Sequence, residues 1–262
     1  MTRYKQSPTR CHLFLHEHVV SAVQAAKRAG QAMIKGLLFD KDGTLFDFQQ
    51  SWGGWAYDLI TALVADDGAS FDRLTDVLGY DAENRVFFPH SLVIAGTARD
   101  QAEALAPHLP GRDLDALEVW LAQAARSAAM VPAVPLRPLL GDFLQAGLAL
   151  GVATNDAEAA ARRQLELAEI TDLFAYIAGY DSGHGAKPHP GMCLGFARAL
   201  DLDPAACVMV GDSLHDLDAG RAAGMRVVGV LTGVAGMDDL APHADVVLRD
   251  IGQLPGWLAS LG

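Results

Sequence analysis

No apolar run in the chain reaches the roughly 18 residues that a membrane-spanning helix needs, so no such span is expected. Cysteine is also scarce. Cys11, Cys193 and Cys207 stand far apart, with neither a CxxC pair nor a Cys/His zinc spacing. This usage excludes a disulfide framework and fits a reducing compartment such as the cytoplasm. Positive charge is in deficit: 20 Lys and Arg face 32 Asp and Glu, a formal net charge of -12. Such a chain repels nucleic acid and anionic membranes unless it carries a local basic patch. Lysine is rare, present only as Lys5, Lys27, Lys35, Lys41 and Lys187.

Two of those lysines belong to a distinct start. Residues 1–33 hold Arg3, Lys5, Arg10, Lys27 and Arg28 against Glu17 alone. A basic, Ser- and Ala-containing start is compatible with a transit peptide. However, Met33 opens the segment MIKGLLFDKDGTL, which would begin a compact protein directly with a strand. Residues 1–32 are therefore expected to be an accessory extension or the product of a misplaced start.

What is present is a repeating α/β pattern. Short apolar runs at Ile34–Phe39, Leu148–Ala153, Cys207–Val210, Val227–Val230 and Val246–Leu248 read as buried strands. Helical spacing lies between them, in Leu136, Leu139, Leu140, Phe143 and Leu144, in Met192 to Leu200, and in Leu214 to Ala223 before the capping Gly224. Apolar strands alternating with helices predict a three-layer α/β/α, Rossmann-like parallel sheet covered on both faces. Residues 48–136 differ. Trp52, Trp55, Leu59 and Leu63 make one helical face, and Leu114, Leu117 and Leu121 another, with Asp113 as the N-cap. This stretch is expected to be an inserted, all-helical domain, leaving 33–47 and 137–262 as the core. Pro132, Pro135 and Pro138 mark its exit.

Polar residues cluster just past the strand ends, where open α/β sheets bind ligands. The first cluster is Asp40-Lys41-Asp42-Gly43-Thr44. It is not a calcium EF-hand loop, because the Gly and Glu that such a loop requires are replaced by Leu45 and Ser51. Thr154-Asn155 follow the second strand. Lys187 lies in Gly185-Ala186-Lys187-Pro188 and lacks the G-K-[ST] of a P-loop. Gly211-Asp212-Ser213-Leu214-His215-Asp216 follows the third strand. Each element alone has an ordinary reading: an acidic turn, a polar strand end, a loop lysine, a helix N-cap.

Together and in this order they resemble the four motifs of the haloacid dehalogenase superfamily, over about residues 34–248. The resemblance implies roles. Asp40 attacks phosphorus, and Asp42 acts as general acid and base. Thr154 binds the transferring phosphoryl group, with help from Asn155, and Lys187 steadies nucleophile and phosphoryl oxygens. Asp40, the main-chain carbonyl of Asp42 and Asp212 would hold Mg2+, while Asp216 holds a metal-bound water or orients Lys187. A carboxylate nucleophile divides one difficult displacement into two easier ones.

The insertion resembles the helical C1 cap of phosphoglycolate phosphatase-like members. A lid of this kind favours a small-molecule phosphate ester, and 2-phosphoglycolate is the best single expectation. Residues 48–136 contain no lysine, which excludes the Schiff-base chemistry of phosphonoacetaldehyde hydrolases, and Asp42 argues against a dehalogenase. A phosphomutase of the β-phosphoglucomutase type and a non-catalytic binding protein on this fold stay open. The insertion carries 12 acidic residues and five Arg. Arg85 and Arg99 are candidates for a substrate carboxylate or second phosphate, since guanidinium suits bidentate anion binding. Trp52 and Trp55 line the pocket or fill the insertion's core.

Overall fold

A computed structural model describes residues 33–88, 90–95 and 97–261. The expectation about residues 1–32 lies outside the described residues. The first described element is strand β1 (Gly36–Phe39). β1 is followed by α1 (Phe48–Asp67), α2 (Phe71–Leu78), β2 (Tyr80–Asp81), β3 (Val86–Phe87), α3 (Leu92–Ala95), α4 (Ala98–Leu105) and α5 (Leu114–Arg126). The chain then runs through α6 (Leu136–Gln145), β4 (Ala149–Ala153), α7 (Glu158–Leu167), β5 (Tyr176–Ala178), α8 (Gly191–Ala199) and β6 (Cys207–Gly211). It ends with α9 (Leu214–Ala222), β7 (Arg226–Val230), α10 (Met237–Leu240), β8 (Val246–Leu248) and α11 (Leu254–Ser260).

Among the described residues, six strands form one parallel sheet in the order β5-β4-β1-β6-β7-β8. β1 is central and wholly buried, as its unbroken apolar sequence requires of a strand covered on both faces. Its side chains alternate between two cores. Leu37 and Phe39 join Leu139, Leu140 and Phe143 of α6 and Leu254 and Leu258 of α11 on one face. Leu38 joins Met192, Cys193 and Phe196 of α8 and Leu217 of α9 on the other. Each such Leu or Phe, once buried, contributes about 1.5–3 kcal/mol.

The insertion has its own core, in which Trp52, Leu59 and Leu63 of α1 meet Leu117 and Leu121 of α5. Asp47 caps α1 by accepting from the Gln50 amide, and Gly68 ends it in the left-handed region at φ 64°. Asp113 caps α5 as its position predicts. Two details differ from the expectation. The insertion is not purely helical: β2 and β3 pair antiparallel, Tyr80 with Phe87 and Asp81 with Val86. In addition, Leu136 is buried in the main core rather than in the insertion. The two connecting segments run side by side: Asp47 N donates to Val131 O, and Ala133 N to Leu45 O. This pairing places the exit at 131–133. No helix among the described residues is long and apolar enough to cross a membrane.

Candidate active site

The three central strands deliver the site. The Asp40 amide donates to Val210 O at 2.8 Å, carrying the β1–β6 ladder one residue past β1. Asp40 thus stands at the carboxyl end of the sheet beside Asp212, which follows β6, and Thr154, which follows β4. Lys187 reaches this point from the loop between β5 and α8. Its Nζ donates to Asp40 Oδ1 at 2.5 Å, to Asp216 Oδ1 at 2.6 Å and to Ala153 O at 2.8 Å. Asp40, Thr154, Lys187, Asp212 and Asp216 are all buried.

Burial and crowding control the electrostatics. Burial foremost, with Asp216 and Asp42 adding to it against the pull of Lys187, raises the Asp40 carboxyl to about 7. Burial also lifts Asp212 well above the ordinary carboxylate value, helped by Asp216 and Asp40. For Lys187, burial works against the charged form, but Asp216 and Asp40 outweigh it, so the ammonium is held above its usual value.

Asp40, Asp212 and Asp216 each offer an oxygen within 4.8 Å of the others. Three buried carboxylates facing one ammonium leave negative charge uncompensated, and a hard, oxygen-ligated divalent cation suits that donor set. Asp216 is less free than the other two. Its Oδ1 accepts from Lys187, and its Oδ2 accepts from Ser213 Oγ at 2.6 Å and from Ser213 N at 3.1 Å. These bonds tie it to Lys187 and to Ser213.

The remaining predicted residues fall into two groups. Thr154 Oγ1 accepts from the Asp156 amide at 3.1 Å, which leaves the hydroxyl proton for another acceptor. Asn155 is tied to the Lys187 main chain by two bonds, accepting from Lys187 N at 2.8 Å and donating to Lys187 O at 3.0 Å. It thereby anchors the loop that carries Lys187. The two cap arginines make their side-chain contacts within the cap. Arg99 lies in a surface cluster with Glu103, Asp115 and Glu118. Arg85 is exposed, with its guanidinium 4.4 Å from the Tyr57 ring. An anion would have to displace three carboxylates to reach Arg99, because the acid-rich cap already supplies its partners.

Other residues join the site without a role assigned to them from the motifs. Trp52 Nε1 donates to Asp42 Oδ1 at 2.9 Å, so the first cap helix touches the turn that follows β1. Lys41 Nζ lies 2.5 Å from Asp42 Oδ2 and 3.0 Å from Asp156 Oδ2. The loop after β7 closes the far side: Thr232 Oγ1 donates to Gly43 O at 2.6 Å. A Cβ on Gly233 would lie 1.7 Å from Asp212 Oδ2, so the bare backbone there is what lets Asp212 fit. The rarity of lysine was a usable signal for Lys41. Thr232 and Gly233 carry none.

Comparison with known proteins finds similar phosphatases. The chain is 30% identical over 226 residues to a phosphoglycolate phosphatase of Agrobacterium fabrum, covering 83% of this chain and 89% of that one. It is 29% identical over 224 residues to an N-acetylmuramic acid 6-phosphate phosphatase of Pseudomonas putida, covering 82% and 92%. Its fold matches the crystal structure of a predicted phosphoglycolate phosphatase from Haemophilus somnus with a TM-score of 0.65 at 20% identity, covering 87% of this chain and 99% of that one. The family model for haloacid dehalogenase-like hydrolases matches residues 34–224, and the chain belongs to that family.

Proposed function

We propose that the protein is a magnesium-dependent phosphatase that hydrolyses a small phosphate monoester, 2-phosphoglycolate foremost, through a phosphorylated Asp40. The observation that carries this reading is the Lys187 bridge. One ammonium holds Asp40 by a single oxygen and so leaves the other oxygen to attack phosphorus.

In the first half-reaction the Asp40 oxygen bonds to phosphorus. The bond from phosphorus to the ester oxygen breaks, and that oxygen leaves with a proton from Asp42. In the second, water attacks phosphorus and gives its proton to the Asp42 carboxylate, and the bond to Asp40 breaks to release inorganic phosphate. Thr154 donates its hydroxyl proton to a phosphoryl oxygen, and Lys187 offsets charge on the same group. Asp40, Asp212 and the main-chain carbonyl of Asp42 would hold Mg2+, which supplies positive charge against the phosphoryl oxygens. Acid–base help alone provides about 10²–10⁴-fold. Phosphate monoesters need far more, up to roughly 10²¹, so positioning and charge neutralisation provide the remainder.

The test is phosphate release from a panel of small esters that includes 2-phosphoglycolate, sugar phosphates and N-acetylmuramic acid 6-phosphate. It is run with Mg2+, with EDTA, and with Asp40→Asn. Turnover that requires both the cation and Asp40 supports the reading. Absence of release from every ester sinks it and favours a mutase or a binding role.

A further inference from the structure

Asp42 is gripped from two sides by residues outside the Asp40 cluster. Lys41 has no exposed side-chain surface, and its ammonium bridges Asp42 on the first turn to Asp156 beyond β4. Trp52 takes the other Asp42 oxygen and places its ring 5.8 Å from the same ammonium. A buried ammonium is costly to desolvate, so an apolar residue would fill this space more cheaply. An apolar residue could not tie Asp42 to a second loop. The two grips, one on each oxygen, fix the plane of the carboxylate, and each oxygen keeps a lone pair for the proton exchanged with substrate.

We propose that Lys41, anchored by Asp156, is a positioning residue for proton transfer, holding Asp42 in the orientation from which it protonates the leaving oxygen. The proposal rests on the reading of Asp42 as acid and base. It serves one event: as the ester bond breaks, its electron pair stays with the ester oxygen, which takes the proton of Asp42. An alkoxide needs that proton to leave. A 4-nitrophenolate departs without it. Misplacing Asp42 therefore penalises alkyl esters selectively, whereas general damage to the site penalises both.

The experiment compares kcat/KM for the preferred alkyl phosphate and for p-nitrophenyl phosphate, with Mg2+, in the full chain and in Lys41→Met, Asp156→Asn and Asp42→Asn. The ratio kcat/KM runs only through the first phosphoryl transfer, so hydrolysis of the shared phosphoenzyme drops out. Lys41→Met is expected to lose roughly 10- to 100-fold on the alkyl ester and under about threefold on the aryl ester. Asp156→Asn, altering a partly exposed partner, shifts the ratio in the same direction by less and carries the test if Lys41→Met does not fold. Equal losses on both esters in these two variants, beside a selective loss in Asp42→Asn, overturn the proposal and leave the acid–base reading standing. Equal losses in Asp42→Asn as well overturn both.

Discussion

At the residue scale the centre is a contest between burial, which disfavours charge, and chemistry, which needs it. Asp40, raised to about 7, and Asp212, raised well above the ordinary carboxylate value, bind protons more tightly than free carboxylates do, in competition with a cation. A carboxyl raised on folding contributes stability below its unfolded value, and that contribution is lost as pH rises through the folded value. The cation-free protein should therefore lose melting temperature between pH 5.5 and pH 8.5, a window of about three units around that shift. Added Mg2+ should raise the melting temperature more at the alkaline end, because there it meets ionised ligands. Calorimetry at both pH values checks this, and an equal Mg2+ effect at both contradicts it. Lys187 is the opposite case, a cation whose removal strands two buried carboxylates. Lys187→Met is expected to cost about 3–5 kcal/mol, measured by urea unfolding, in addition to abolishing turnover. Asp40 and Asp212 were legible in the sequence because each follows a recognisable strand, and Lys187 because lysine is rare in the chain. Lys41, Trp52 and Asp156 were not assigned to Asp42, because their meeting depends on how the β1 and β4 loops and the cap helix are set in space.

At the element scale, strand ends do the positioning. β1, β4 and β6 were readable as unbroken apolar runs because each is buried on both faces. β5, the three residues Tyr176–Ala178, was missed. α7 was missed because its sequence, EAAARRQLEL, shows little apolar periodicity and buries only Ala161, Gln164 and Leu165. The β2–β3 ladder is only two residues per strand, below any sequence period. The loop after β7 yields a sharp prediction. Gly233→Ala would drive a methyl into Asp212 while leaving both cores untouched. Mg2+ affinity should fall about 10- to 100-fold, read by calorimetric titration, with urea stability nearly unchanged. Unaltered affinity would show that Asp212 does not hold the cation.

At the scale of the whole molecule, two hydrophobic bodies are joined by paired segments at 45–47 and 131–133. The cap touches the core directly where Gln164 Nε2 donates to Ala125 O at 3.1 Å. Trp52, Trp55 and Trp120 pack in the cap and Trp257 against the main core, so tryptophan fluorescence reports chiefly on the cap. Leu63→Ala, in the cap core, should lower the fluorescence transition by about 2–5 kcal/mol and leave the far-ultraviolet transition of the sheet less affected. Coincident shifts of both would mean that cap and core unfold as one unit. The cap's helical faces and the order of the motifs were visible in the sequence. The closure of Trp52 onto Asp42 was not, since helical spacing alone fits a packed core equally well. The central claim, that Asp40 becomes phosphorylated, can be tested directly. The enzyme turning over its preferred ester with Mg2+ is quenched, treated with borohydride and digested, and the peptide spanning β1 is weighed. An acyl phosphate at Asp40 is reduced to homoserine, and this is the predicted result. Phosphate release with residue 40 recovered only as aspartate would contradict the account.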